Sequence, residues 1–218
     1  MYFGLSEEQV SLQETIKKYL EDQAPLDEIK KMAGGDESKI KEIHKGLLDL
    51  GISSLLVPEK FGGLELDLLF AAIVSTALGS GTAPVPFVGA YVMAPLALNL
   101  AGNQSQKEAW LPRIASGEVI MGIAISEFVG AREDSVINFE KGKINGRALF
   151  VIDAKNADAL IVSNKAGQLF LVNTSTSGIS QKELITVDKT RTYMEILFNN
   201  VKAEILPESE KDMGIINK

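Results

Sequence analysis

Between Leu68 and Gln106 the chain carries no charged side chain. A stretch that long without charge has two possible homes, a lipid bilayer or a packed protein interior. A bilayer span needs about 20 consecutive apolar residues. This run is interrupted by Gly79, Gly81, Pro84, Pro86, Gly89, Pro95 and Asn99. It therefore reads as two buried helices, near Asp67 to Leu78 and Phe87 to Leu100, joined by the loop GSGTAPVP and with the second kinked or restarted at Pro95. The 218 residues suffice for one large or two modest domains with a real core.

Helical signals surround this run. Ser6 and Gln9 form a capping box, after which Leu12, Ile16 and Tyr19/Leu20 recur at helical spacing until Pro25. A polar stretch containing Gly34 and Gly35 follows. Ser38 reads as the start of a second helix, with Ile40, Ile43, Leu47 and Leu50 on one stripe and Gly51 as its terminator. Ser105 with Glu108 reads as a capping box opening a last helix through Trp110 towards Ala115. Beyond SGEV the pattern changes to short β-rich runs: VIMGIAI, VINFE, KINGRALFVI, ALIVS, QLFLV, ELITV, YMEILF and VKAEIL. KGK (Lys141 to Lys143) and NKAGQ (Asn164 to Gln168) look like hairpin links. The expected architecture is α+β: an all-α domain over 1–117, an antiparallel β-barrel or sandwich over 118–208, and 209–218 beginning something further.

Composition removes several function classes. The chain has no cysteine and a single histidine, His44, so thiolate chemistry, iron–sulfur clusters and multi-histidine metal sites are out; no metal ligand is assigned. A net charge of −7 argues against nucleic acid or an anionic membrane as partner. The N-terminus lacks the features of a signal or transit peptide, and the expected location is cytoplasmic. No GxGxxG or Walker loop is present. His44, mid-helix with no serine nearby, reads as a surface or packing residue, and Glu127, Glu133 and Asp134 read as solvated loop carboxylates. Spacing alone gives a ligand-binding α-plus-β protein and no more.

VPEKFGGLELD, Val57 to Asp67, is longer than a helix connection requires. Pro58 breaks the extended run before it, Gly62 and Gly63 admit backbone angles that other residues resist, and Phe61 can fill an apolar gap, so the insert reads first as a compact turn and second as the lining of a ligand cleft. LLDLGISSLLVPEKFGGLELD also resembles a stretch of the acyl-CoA dehydrogenase family, in which a helix ends in glycine and a PE-aromatic-GG loop leads into the next helix. NQSQKEAWLPRIASGEVIMGIAISE, KINGRALFVIDAKNADALIVS and FNNVKAEIL resemble further family segments in the same order. Together they cover nearly the whole chain and cross the same helix-to-strand switch.

The resemblance implies FAD as cofactor and an acyl-CoA thioester as substrate, from which an α-proton goes to a carboxylate and a β-hydride to the flavin. It also implies an oligomer, homomeric or heteromeric, and an electron-transfer protein as acceptor. Carried over position by position, Ser126 stands at the family's hydroxyl residue before glutamate, with Ile123 and Ile125 flanking it. Phe150, Val151 and Ile152 stand at its tryptophan, isoleucine and threonine or serine. These six are the expected cofactor residues. At Ile152 a hydroxyl has become aliphatic, which removes one polar contact worth about 1 kcal/mol. FVGARED replaces the usual glycine- and proline-rich loop, and Arg132 within it reads as a surface residue. FVIDAKNADALIV, with Asp188 to Arg191 later, is similar to a branch acting on bulky side chains, often through two unlike subunits. The family's third, helical domain carries the catalytic carboxylate and would begin near ESEKDMGIINK, so no catalytic residue is assigned here and the chain reads as a fragment of a longer enzyme. The alternative is a non-catalytic partner or scaffold subunit, suggested by Ile152 and the altered loop. An oxidase or monooxygenase on the same scaffold is a third reading.

Overall fold

The computed structural model of the protein describes residues 4–126 and 135–212. Glu127, Arg132, Glu133 and Asp134 lie outside the described residues, as does the chain after Asp212. Helix α1 (Glu7–Gln23) opens with the expected box: the Ser6 side chain accepts from Gln9 N and the Gln9 side chain accepts from Ser6 N. An unexpected helix, α2 (Leu26–Ala33), follows with Pro25 at its N-cap position. It is only 8 residues long, too short for periodicity to stand out, and it buries only Ile29 and Met32. Helix α3 (Glu37–Asp49) starts earlier than expected because Asp36, not Ser38, caps it through Lys39 N. Gly51 follows its end at φ 86, the left-handed angle a glycine terminator supplies.

The Val57–Asp67 insert is a compact turn. A short 3-10 helix, Glu59–Phe61, ends at Gly62 with φ 84, and Phe61 is buried. The chain then folds back so that Leu64, Glu65 and Leu66 donate to the carbonyls of Ser54, Val57 and Leu55. Helix α4 (Leu68–Ser80), capped by Asp67, packs on α1. It is not wholly interior: Ala71, Ile73, Val74, Ala77 and Leu78 are buried, whereas Leu69, Ala72 and Thr76 lie on an exposed face. The second uncharged helix changes character next to Pro95, as expected. Val88–Met93 is a π-helical segment, in which Ala94 N donates to Gly89 O, and α5 (Ala94–Ala101) continues it with Pro95 in its first turn. Helix α6 (Gln104–Ala115) is boxed by Asn103 and Gln106 rather than by Ser105 and Glu108. Both pairs fit the pattern, and the extended backbone of Asn103 (φ −75, ψ 171) decides between them. Among the described residues no helix is long and apolar enough to cross a membrane.

The second half forms one curled sheet from β1 (Met121–Ala124), β2 (Ile137–Glu140), β3 (Lys143–Ile152), β4 (Ala159–Ser163), β5 (Leu169–Asn173), β6 (Ile179–Glu183), β7 (Tyr193–Lys202) and β8 (Glu204–Ile205), with a helical turn, α7 (Glu208–Lys211), behind it. The strand order is β6-β7-β3-β1-β4-β5-β8, with β2 also on β3. Pairing is antiparallel except between β1 and β4, which run parallel. The expected hairpins β2–β3 and β4–β5 form. ELITV does not continue as a strand: β6 ends at Glu183, and Ile185 and Val187 are fully exposed. The sequence of β6, ISQKE, lacks an apolar run because it is an exposed edge strand.

Two cores explain the strand patterns. Ala159, Ile161, Leu169 and Leu171 face the helices, while Leu160, Val162, Phe170 and Val172 face the inside of the sheet. β4 and β5 are thus buried on both faces and read as unbroken apolar runs. The first core crosses the helix-to-strand switch, joining Ile43, Val74, Tyr91 and Leu98 to Met121, Ile123 and Ile161.

Candidate functional site

Strands β1 and β3 lie side by side, with Ile123 paired to Ile152. Beyond β1, the Ser126 hydroxyl ties the two strands together. It accepts from Leu149 N at 3.1 Å and lies 2.7 Å from Ser135 Oγ, whose own proton is donated to Arg147 O at 3.1 Å. Ser126 must then donate to Ser135, so both roles of its buried hydroxyl are filled internally. β3 bulges between Ala148 and Val151, and Phe150 sits there at φ 53. The bulge turns the Phe150 ring outward, 43% exposed, with Tyr193 meeting it edge-on at 6.3 Å. Val151, 0% exposed, points into the sheet core, and Ile123 is buried among the helices. Ile125 and Ile152 are half-buried against that same core.

The six expected residues therefore divide by position. Phe150, Ile125 and Ile152 have surface to offer a ligand by side chain. Ile123, Val151 and Ser126 build the shelf beneath. Phe150 with the Tyr193 edge offers an aromatic surface of the kind a flat ring packs on, and Ile125 and Ile152 add aliphatic surface on the two neighbouring strands. Ser126 does not add a free hydroxyl donor to it.

Ile152 also walls a cavity of about 400 Å³ at the seam between helices and sheet. Pro84, Val85, Pro86, Val88, Ile40 and Ile120 supply an apolar lining. On α3, Glu37, Ile40, Lys41 and His44 fall at helical spacing on the face turned to it. The insert Val57 to Asp67 contributes nothing to the lining.

Two buried polar contacts fix the cavity walls. Asp153, immediately after Ile152, places Oδ2 where the π-helical segment begins. It accepts from Phe87 N at 3.1 Å, Gly89 N at 2.7 Å and Ala90 N at 3.1 Å. Burial pushes its carboxyl above the usual range, opposed by those three amides and by Arg191. Arg191 in turn donates from Nη1 to Val85 O at 3.4 Å. In the other wall, His44 Nε2 lies 3.0 Å from the hydroxyl of Tyr91, with the two rings stacked 5.8 Å apart. Burial lowers the His44 pKa to about 4 and raises that of Tyr91, so both are neutral at pH 7. Lys155, also in the lining, is bonded to Glu37 of α3 at 3.2 Å and to Glu183 of β6 at 3.4 Å.

His44, Tyr91, Asp153 and Arg191 were not expected at a site. His44 was seen and read as packing, which its bond to Tyr91 bears out, but the same residue also lines the cavity.

Fold and site define a two-layer α+β scaffold with an aromatic shelf and a ligand cavity at the seam. The model of the acyl-CoA dehydrogenase N-terminal domain matches residues 6–118, and the chain belongs to the acyl-CoA dehydrogenase family. It is similar to the mitochondrial isovaleryl-CoA dehydrogenase of Pongo abelii, 28% identical over an alignment of 172 positions that covers 74% of this chain and 40% of that protein. The chain thus spans about 40% of the length of that relative. An acyl-CoA dehydrogenase from Bacillus anthracis complexed with FAD superposes with a TM-score of 0.78 at 19% identity, covering 92% of this chain and 37% of the other. The ChsE4-ChsE5 complex from Mycobacterium tuberculosis gives a TM-score of 0.78 at 18% identity, covering 100% of this chain and 60% of the other. The fold is that of FAD-binding flavoenzymes.

Proposed function

We propose that this chain supplies the helical and β layers of an FAD-dependent acyl-thioester dehydrogenase. The observation that carries the reading is the adjacency of the Ser126 end of β1 to the Phe150 bulge of β3, beside a cavity walled by Ile152. Bound there, FAD would supply the hydride acceptor for removal of a β-hydrogen from an acyl-CoA thioester. Phe150 orients the ring by its exposed face, and Ile125 and Ile152 keep water from its edge. Ser126 acts one layer down, holding the bulge in shape by accepting from Leu149 N. The apolar cavity wall receives the acyl group, whose volume of about 400 Å³ admits a bulky side chain. No carboxylate among these residues is assigned as the base. Electrons would leave to an electron-transfer protein, and the working form would be a homo- or hetero-oligomer, as the ChsE4-ChsE5 complex is heteromeric by name.

A second reading, a non-catalytic partner subunit, is favoured by two features: Ile152 offers no hydroxyl and the Ser126 proton is used inside the protein. Flavin spectroscopy on the protein expressed from its full reading frame separates the two. The dehydrogenase reading expects a yellow protein, bleached anaerobically by an acyl-CoA, with FAD bound roughly tenfold more weakly in Phe150→Ala, the loss of one stacked aromatic contact. A colourless protein that takes up no added FAD would select the partner subunit.

A further inference from the structure

The seam cavity is not uniformly apolar, and the balance of its charges is uneven. Two carboxylates and three cations line it: Glu37 and Asp153 against Lys41, Lys155 and Arg191. Both carboxylates are committed. Glu37 pairs with Lys155 at 3.2 Å, and Asp153 Oδ2 is taken by three backbone amides. Lys155 is committed with them, through Glu37 and Glu183. Lys41 and Arg191 remain. Among the described residues Lys41 has no carboxylate partner. Arg191 feels the charges of Asp153 and Asp188 but forms no ion pair with either, and its guanidinium bonds the Val85 carbonyl, which leaves most of its donors available.

The His44 ring adds a neutral donor. Tyr91 is fully buried and its hydroxyl proton needs an acceptor. Among the described residues that acceptor is His44 Nε2. With Nε2 accepting, and burial keeping the ring neutral, the imidazole proton sits on Nδ1 of a residue that lines the cavity. One cavity thus offers an aliphatic wall reached from Ile152 and, in the same space, two cations and the neutral His44 ring.

We infer that the cavity takes an acyl thioester whose acyl group ends in a carboxylate, with Arg191 and Lys41 neutralising that carboxylate and the His44 N–H donating to it. This names a substrate class for the acyl site and rests on reading the cavity as that site. An alkyl tail would bury against Pro84, Pro86 and Val88 but make no use of the free guanidinium donors or of the Lys41 ammonium, whereas a terminal carboxylate gains charge-assisted contacts from both. Asp153 does not repel it strongly, since its charge is directed to the amides of Phe87, Gly89 and Ala90.

The test is calorimetric binding of two six-carbon thioesters, hexanoyl- and adipoyl-pantetheine, to the protein expressed from its full reading frame. Pantetheine lacks the nucleotide phosphates, so any preference belongs to the acyl end. Adipoyl-pantetheine should bind roughly tenfold or more tightly than hexanoyl-pantetheine, the difference a charge-assisted contact supplies. Lys41→Gln should erode that preference and leave hexanoyl binding unchanged, whereas Arg191→Gln, which also cuts the wall tie to Val85, should weaken both thioesters and adipoyl-pantetheine the more. Lys41 is exposed, so its variant keeps the test alive should Arg191→Gln fold poorly. Equal or tighter binding of hexanoyl-pantetheine overturns the inference and leaves the acyl-site reading standing. If neither thioester binds, both fall. A preference absent with pantetheine, together with equal weakening of hexanoyl-CoA and adipoyl-CoA by Arg191→Gln, also overturns it and assigns the cations to the nucleotide phosphates.

Discussion

Replacing Asp153 tests the joint that holds the cavity open. Its Oδ2 takes three backbone N–H groups of the segment that begins α5, at 2.7 to 3.1 Å, from residues more than sixty positions earlier in the chain. In Asp153→Ala those three donors lose their acceptor at a buried seam. Each orphaned buried donor costs about 1–3 kcal/mol, with partial recovery where a helix start relaxes towards water. Removing one side of a buried charged contact costs about 3–5 kcal/mol, and we expect Asp153→Ala to fall in that range. The backbone adds to it, since Asp153 sits at φ 52, where aspartate and asparagine are tolerated better than alanine. For a chain of this size each kcal/mol lowers Tm by about 2–4 °C, so a fall of roughly 10 °C is expected.

Asp153→Asn separates the acceptor from the charge. An amide oxygen in the place of Oδ2 keeps all three bonds and suits the same backbone. What is lost is the attraction of a carboxylate for a helix N-terminus, at most about 2 kcal/mol. What is regained is the cost of burying a charge, which already holds this carboxyl above its usual range. The two nearly cancel, and Asp153→Asn should lie within about 1 kcal/mol of wild type. Urea melts of the three proteins, followed by circular dichroism, give the comparison. An alanine variant within 1 kcal/mol of wild type, or an asparagine variant as damaged as alanine, would refute the reasoning.

Three further outcomes follow from the same geometry. His44, held at about 4 against an ordinary 6.5, binds its proton more weakly folded than unfolded; its contribution is constant above about pH 6.5 and lost as pH falls towards 4, by up to about 3 kcal/mol. His44→Gln should flatten that stretch of the stability–pH curve, measured as the difference from wild type, and an unchanged slope would count against a buried neutral ring. Ser126→Ala leaves Leu149 N without its acceptor and should cost about 1–3 kcal/mol in urea melts while weakening FAD binding through the loosened bulge; full stability would contradict the internal network. At Gly63 an added Cβ would overlap the Val57 carbonyl, so Gly63→Ala should destabilise by more than about 2 kcal/mol, and a neutral effect would show that the insert is not the tight turn described.

The elements legible in the sequence are those whose cause is local. The Ser6–Gln9 box and the two hairpins depend on residues within a few positions of each other and appear as read, and the uncharged run gives its two helices, though the first keeps an exposed face. Local signals fail where two of them compete or where none is present. Asn103–Gln106 and Ser105–Glu108 are equal as patterns, and α2 and the edge strand β6 bury too little to show a period. The parallel pairing of β1 with β4 has no local signature, because a four-residue apolar strand carries no record of its neighbour's direction. At the site, the resemblance supplied the neighbourhood of Ser126 and Phe150. It named Ile123 and Val151 by position only, and burial turns both side chains inward. Asp153 stands next to a residue singled out in the sequence, yet its acceptor role depends on Phe87, Gly89 and Ala90, and no spacing connects those positions.

The seam explains why the cavity belongs to neither half of the chain. Its lining comes from α3, from the loop before α5, from the end of β3 and from the loop before β7. These segments are tied across the seam by Asp153 to the start of the π-helical segment before α5, by Arg191 to Val85 and by Lys155 to Glu37. The core beneath crosses the same line, with Tyr91 and Leu98 packed in one cluster with Met121 and Ile161. The change from helix to strand near residue 117 is therefore a change of secondary structure inside one packed body. A substitution at the seam should alter ligand binding and global stability together, whereas one in the sheet's inner core, such as Phe170→Leu, should alter stability with the cavity walls in place. That difference follows because the polar ties that shape the cavity also join the two layers.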